Sequence, residues 1–250
     1  VLGIACDNNG GSGAAPGLTV TDNVGNTYVV RSTTTMTAGA DNDGVALYIV
    51  TCLVTNALIA SDVITATFTT SPTCRLLSGQ EINDGTGTPT IREVGAGASG
   101  TGTTPSITSG TCQVDDIIIG FLAAETSGAF TVDGDTTNGA WSAFINGLAN
   151  GGTQTTSIRL AQQVKTQTTT SSTQTFNPTI GSSRDYAINT IVLYDGASAL
   201  SLAADAGAYA VTGTAAAPKR GRKTVAGAGS IAVTGTAASP ELGRKVVAGA

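Results

Sequence analysis

An all-β fold is predicted for most of this chain, and three observations predict it. Apolar runs of strand length recur between turns rich in Gly, Asn and Pro, with no convincing helical period. Threonine, which suits a pleated and half-buried surface, makes up 42 of 250 residues, while charged residues are only 12%, far below the usual share. The third observation is an internal echo. The stretch TVTDNVGNTY, 19–28, returns in degenerate form as VDGDTTNGAW, 132–141. Asp22 and Tyr28 are thereby matched by Asp135 and Trp141, each 113 residues later. The expected architecture is a jelly-roll-like β-sandwich of two similar halves over 1–196. A linker, 197–206, and short β-hairpin repeats, 207–250, follow it.

Taken in order, the first half opens on an apolar strand, 1–6, and a Gly/Asn/Ser loop closed by Pro16-Gly17. Strands at 18–21 and 27–31 flank the Asp22 turn. A polar loop ends in Asp41-Asn42-Asp43-Gly44. The long apolar run VALYIVTCLVT, 45–55, is a strand, as are 62–69 and 75–82. Residues 83–105, full of Gly, Thr and Pro, read as a loop. The second half repeats the scheme with strands at 105–108, 116–124, 130–132 and 141–144. A loop at 146–156 and strands at 158–165, 173–178 and 185–194 complete it. An immunoglobulin domain does not fit, because the single Trp, Trp141, follows every cysteine.

The last 44 residues repeat with a period of 22. GAYAVTGTAAAPKRGRKTV, 207–225, recurs as GSIAVTGTAASPELGRKVV, 229–247. Each unit reads as two short strands joined by a Pro-containing turn. Such a unit cannot bury a face alone, so its strands must stack on a neighbour. Tyr209 and Ile231, with Arg222, Lys223, Arg244 and Lys245 in register, are the expected assembly residues. The chain begins within an apolar run without an initiating Met, and Ala248-Gly249-Ala250 repeats Ala226-Gly227-Ala228. Processing before residue 1 and continuation past residue 250 are both expected.

Charge divides along the same line. Residues 1–196 hold 15 acidic and 6 basic side chains, net −9, while 197–250 hold 2 and 6, net +4. An acidic body argues against nucleic acid, whose phosphates need Lys and Arg. No apolar run reaches the length of a membrane helix. The basic tail has an acidic counter-surface available in its own kind.

Catalytic chemistry finds little support. There is no His anywhere, which excludes Ser-His-Asp and Cys-His mechanisms. Asp22, Asp41, Asp43, Asp133 and Asp135 all lie in turn-rich segments, where Asp caps backbone N–H groups. No catalytic residue and no cofactor are expected. Asp41 and Asp43 resemble the start of a calcium loop but lack its later Gly and Glu, so calcium there stands beside an ordinary turn. Tyr28, Tyr48 and Trp141 suit either a core or a sugar-binding platform. The cysteines, Cys6, Cys52, Cys74 and Cys112, fit either buried thiols or the pairs Cys52–Cys74 and Cys6–Cys112.

The motifs VTDNVGNTY, ALYIVTCLV, DVITATFT, DDIIIGFLAAE, DGDTTNGAW and TQTFNPTI resemble a β-sandwich domain of tailed-phage structural proteins. The AYAVTGTAA repeats with GRK are similar to short repeats appended to virion proteins. The resemblance implies a non-enzymatic virion component, of tail, fibre or capsid-decoration type, located in an extracellular particle. Its partners would be copies of itself and other virion proteins. The alternative is an extracellular adhesin or carbohydrate-binding module that meets a host surface glycan through its end loops.

Overall fold

The computed structural model describes residues 1–7, 14–36, 44–82, 89–152, 157–169, 172–195, 209–211 and 231–233. The chain divides into two compact units, Val1–Gly196 and Ala197–Ala250. The first is all-β with several sheets. Its first half contains β1 (Leu2–Asp7), β2 (Leu18–Asp22), β3 (Tyr28–Met36), β4 (Val45–Cys52), β5 (Ile64–Phe68) and β6 (Arg75–Gly79). Next come β7 (Pro89–Val94), β8 (Ala98–Gly102) and β9 (Ile107–Cys112). The second half contains β10 (Ile117–Glu125), β11 (Phe130–Thr131), β12 (Ile145–Ala149), β13 (Ile158–Thr166), β14 (Ser172–Phe176), β15 (Thr179–Ile180) and β16 (Arg184–Asp195).

One wiring is used twice. The first sheet is ordered β3-β4-β1-β6, and the second runs β12-β13-β10-β16 before β7 is added. Outside them lie the pairs β2-β5 and β11-β15. The registers coincide as well. Tyr28 lies opposite Cys52, and Trp141 lies opposite Lys165, so both members shift by 113 residues. The same shift takes Ser32–Ile49 to Ile145–Gln162 and Met36–Val45 to Ala149–Ile158. The central pair Asp7–Val45 becomes Glu125–Ile158. Here β1 shifts by 118, because the connection from Asp7 to Asp22 is five residues longer than that from Glu125 to Asp135. Cys6–Arg75 becomes Ala124–Tyr186, and Leu18–Phe68 becomes Thr131–Thr179, so β5 and β6 shift by 111.

Three apolar layers follow from this wiring. Between the main sheets lie Ala5, Leu47 and Ile49 from one side and Ile119, Phe121, Ile158 and Leu160 from the other. The far face of the first sheet, with Ile4, Tyr48 and Val50, is covered by Val20, Ile64 and Phe68 of β2-β5. The far face of the second, with Ile118, Leu122 and Ile188, is covered by Ile180, Phe176 and Cys112. Strands covered on both faces need no alternation, which is why β1, β4 and β10 read as unbroken apolar runs. The packing of the halves is reciprocal: β6 faces β12 and β13, and β16 faces β3 and β4. This is the exchange expected across a two-fold axis, here within one chain.

Several sequence expectations need correction: β3 runs on through 32–36, expected as part of a polar loop, and β4 stops at Cys52, short of 55. The stretch 83–105 carries two strands, β7 and β8, held by β16. Its Gly-Thr-Pro composition hid them, because a paired edge needs only backbone groups. A strand occupies 145–149, where a loop was expected, again because β13 supplies the partner. Conversely, 141–144 is no strand: Trp141 makes one isolated bridge, to Lys165. In the second unit, β17 (Tyr209–Val211) and β18 (Ile231–Val233) pair in parallel, Tyr209 opposite Ile231. The described strands of successive repeats thus pair with each other. The partner strand expected within each hairpin lies outside the described residues.

Candidate functional site

The Asp22 turn is the best-built local feature of the first half. Asp22 Oδ1 accepts the backbone N–H of Val24, Gly25 and Asn26 at 3.1, 2.7 and 3.0 Å. Asp22 Oδ2 accepts Asn26 Nδ2 at 2.8 Å and the Tyr28 hydroxyl at 2.9 Å. Gly25 takes φ 84, which a glycine reaches without strain. What burial there is raises the Asp22 carboxyl, but the bonds from Asn26, Tyr28 and Gly25 outweigh it and hold it at about 2.

The turn in turn anchors the loop that follows β4. Asn26 Oδ1 accepts the N–H of Thr55 and of Asn56, both at 2.9 Å, and Asn26 Nδ2 donates to Asn56 O. Asn23 Nδ2 donates to Asp62, and its Oδ1 accepts the Val63 N–H at 2.8 Å. These bonds tie the loop to the turn, while the loop itself is exposed along 53–61. Its apolar side chains face out: Leu53 is 59% exposed, Ile59 68% and Val63 60%. Val54 and Leu58 are exposed as well, and so are Val29 and Val30 at the start of β3. Isolated surface apolars are ordinary, but five of these, Leu53, Val54, Leu58, Ile59 and Val63, fall on one loop.

The second half treats the equivalent corner in the opposite way. The connection after β13 is polar, and its strand β14 pairs with β9. Asp135 Oδ2 accepts Lys165 Nζ at 2.9 Å and Oδ1 accepts the Thr137 N–H at 2.9 Å. Lys165 holds the place of Cys52, and its side chain is fully buried. The ammonium lies 5.5 Å from the centre of the Trp141 ring, which packs on Phe176 at 4.9 Å. The bond from Lys165, and then the Thr137 N–H, hold the Asp135 carboxyl at about 2. Asp133 supports this corner from within, accepting the N–H of Asp135 at 2.9 Å and of Asn177 at 2.7 Å.

These Asp residues are thus turn-builders, as their turn-rich segments imply. Tyr48 and Trp141 are buried and Tyr28 is tied to Asp22, so the three do not form an exposed sugar platform. All four cysteines are free thiols, three buried and Cys52 half-buried, and neither expected disulfide forms. Cys6 and Cys112 sit in different apolar layers, and Cys74 is buried in a third while Cys52 lies only half-buried at the end of β4, so neither expected pair is brought together. Among the described residues, no three His, Cys, Asp or Glu side chains gather as a metal site. Asp41 and Asp43 lie outside the described residues, as do Arg222, Lys223, Arg244 and Lys245. Tyr209 and Ile231 are brought together, as opposite residues of the β17-β18 pair.

Sequence reasoning missed Asn26, Lys165 and the 53–63 loop. Lys165 had a signal: at the 113-residue shift it falls on Cys52, which ends the apolar run of β4. Compared with known proteins, the chain matches no family model, no curated protein and no solved structure.

Proposed function

We propose that this chain is a non-enzymatic structural protein of a virion, of tail, fibre or capsid-decoration type. It assembles with copies of itself and with neighbouring virion proteins, as a jelly-roll-like β-sandwich of two similar halves followed by β repeats. The observation that carries this reading is the apolar corner at Leu53, Ile59 and Val63, fixed by the Asp22 turn and exposed. A rigid apolar surface associates without first losing loop entropy. The repeats support it: among the described residues β17 and β18 pair only with each other, and an unpaired strand edge invites a further strand. Arg222, Lys223, Arg244 and Lys245 give each repeat a basic pair, and the acidic body offers a counter-surface.

The test is peptide mass spectrometry of purified phage particles, together with antibody labelling of intact ones. The chain should be recovered from the particles, at a repeating position. Recovery only from a bacterial surface fraction, with retention on a glycan array, would select the adhesin instead.

A further inference from the structure

Equivalent strands of the two halves have different edges. β16 is bordered by β10 on one side and by β7 and β8 on the other. Its counterpart β6 is bordered by β1 alone among the described residues. The ladder between β1 and β6 shows which groups β6 leaves over. The Asp7 N–H donates to Cys74 O and the Gln80 N–H donates to Val1 O. Residues 74, 76, 78 and 80 therefore bond toward β1, and the N–H and C=O groups of Arg75, Leu77 and Gly79 point away from it. All three residues are exposed, Leu77 at 42%. Natural edges are commonly guarded by lysine, proline or a bulge. The strand RLLSG has neither lysine nor proline, and its register with β1 does not shift.

Turned about a two-fold axis at Leu77, this strand is complementary to itself. Leu77 falls opposite Leu77 and Arg75 falls opposite Gly79, antiparallel, and each pair exchanges both of its main-chain hydrogen bonds. No like charges meet, and the glycine leaves room for the guanidinium. Glu81, two residues beyond Gly79 and exposed, then lies diagonal to Arg75 of the other copy, within reach of long side chains. Among the described residues, neither Arg75 nor Glu81 has an ion pair within its own chain. The side chains agree with the backbone. Leu77 stands at a cleft of about 200 Å³ lined by Ile4, Ile64 and Phe68, so two Leu77 side chains on one face cover that cleft in both copies. On the other face, Leu76 and Ser78 line a cleft of about 230 Å³ with Ile145 and Gly147, and each of the two would meet the other's counterpart.

We propose that the outer edge of β6 pairs antiparallel with β6 of a second copy of this chain, joining the two first sheets into one across a two-fold axis. This adds a surface to the self-assembly proposed above. It stands on β6 alone, whether or not the corner at 53–63 associates and whether or not the protein is a virion component.

The experiment uses the full chain with Leu77→Cys, oxidised mildly and mapped by peptide mass spectrometry. Gly79→Cys is the control. Residue 77 meets its own counterpart across the pair, while residue 79 lies opposite residue 75 and out of reach of its counterpart. A 77–77 link between chains is expected, in about tenfold or greater excess over a 79–79 link, because only the first falls within disulfide reach. Mixing Arg75→Cys chains with Gly79→Cys chains should give a 75–79 link. No 77–77 link, or equal yields at 77 and 79, would overturn the proposal. Sedimentation velocity gives an independent check in the Ile59→Asp/Val63→Asp background, which removes the apolar corner. A dimer of about twice 24.6 kDa should remain there. Adding Leu77→Pro removes a donor that faces away from β1, so the strand keeps its own ladder while the dimer falls to monomer. A monomer before the proline is added, or a dimer after it, would overturn the proposal as well.

Discussion

Lys165 Nζ lies 2.9 Å from Asp135 Oδ2, in the place where the first half sets the Tyr28 hydroxyl 2.9 Å from Asp22. One wiring thus satisfies its turn carboxylate in two ways. In the first half the aromatic residue supplies the donor. In the second, Trp141 offers no hydroxyl, and the residue opposite it donates instead. The two ways differ in cost. Lys165 is fully buried, while the Asp135 side chain is 37% exposed.

That asymmetry ranks two substitutions. Asp135→Asn leaves a buried ammonium without its counter-charge, which is expected to cost about 2 kcal/mol after allowance for the exposed carboxylate. Lys165→Met keeps the buried volume and leaves a carboxylate that water can reach, at less than about 1.5 kcal/mol. Denaturant midpoints of the two variants would measure the order. The reverse order contradicts the assignment.

Acid should weaken the fold through the same two turns. Asp22 and Asp135 are each held at about 2, below the ~3.9 of an unfolded Asp. A carboxyl depressed on folding contributes stability that is complete above its unfolded value and is lost as pH falls through the folded one. The window is therefore about pH 4 down to pH 2. Asp7 acts in the opposite sense, because burial raises it despite bonds from Cys74 and Thr73. Denaturation across that window should show a falling midpoint in the parent and a shallower fall in Asp22→Asn. Identical slopes would count against the turn geometry.

Gly3 and Phe121 hold equivalent places in the two halves, opposite Ile49 and Gln162. A methyl group on Gly3 would overlap the Phe121 ring. Gly3→Ala is expected to destabilise by about 1–3 kcal/mol. Adding Phe121→Leu should recover part of that loss, a coupling that a double-mutant cycle reads directly. Additive effects would place the two residues out of contact.

Thiol labelling should be uneven. Burial, and then the charge of Asp7, push Cys6 up to about 12. Burial raises Cys74 and Cys112 as well, while Cys52 is raised but half-exposed. A thiol-specific reagent should modify Cys52 first in the native protein and all four after unfolding. A disulfide-linked peptide in the unreduced digest would refute this.

The all-β class and the echo between the halves were legible because they are written in backbone turns and long apolar runs. Asp22 and Asp135 need their positions to close a turn, so the 113-residue echo survives even where Tyr28 becomes Trp141. The apolar runs of β1, β4 and β10 announced buried central strands. What stayed hidden depends on partners distant in sequence. β7 and β8 carry little apolar signal because β16 supplies their pairing. The corner at 53–63 looked like the end of a strand, since nothing local says that Asn26, about thirty residues earlier, holds its backbone. The buried Lys165 likewise makes sense only beside Asp135.

Sedimentation velocity on the full chain and on Ile59→Asp/Val63→Asp tests the assembly account most directly. Both substitutions sit on exposed side chains, so the fold should be unaffected, which circular dichroism would confirm. The account predicts species well above 24.6 kDa for the parent, growing with concentration, and a shift toward that monomer mass for the variant. A parent that stays monomeric at every concentration, or a variant that assembles as the parent does, would contradict it.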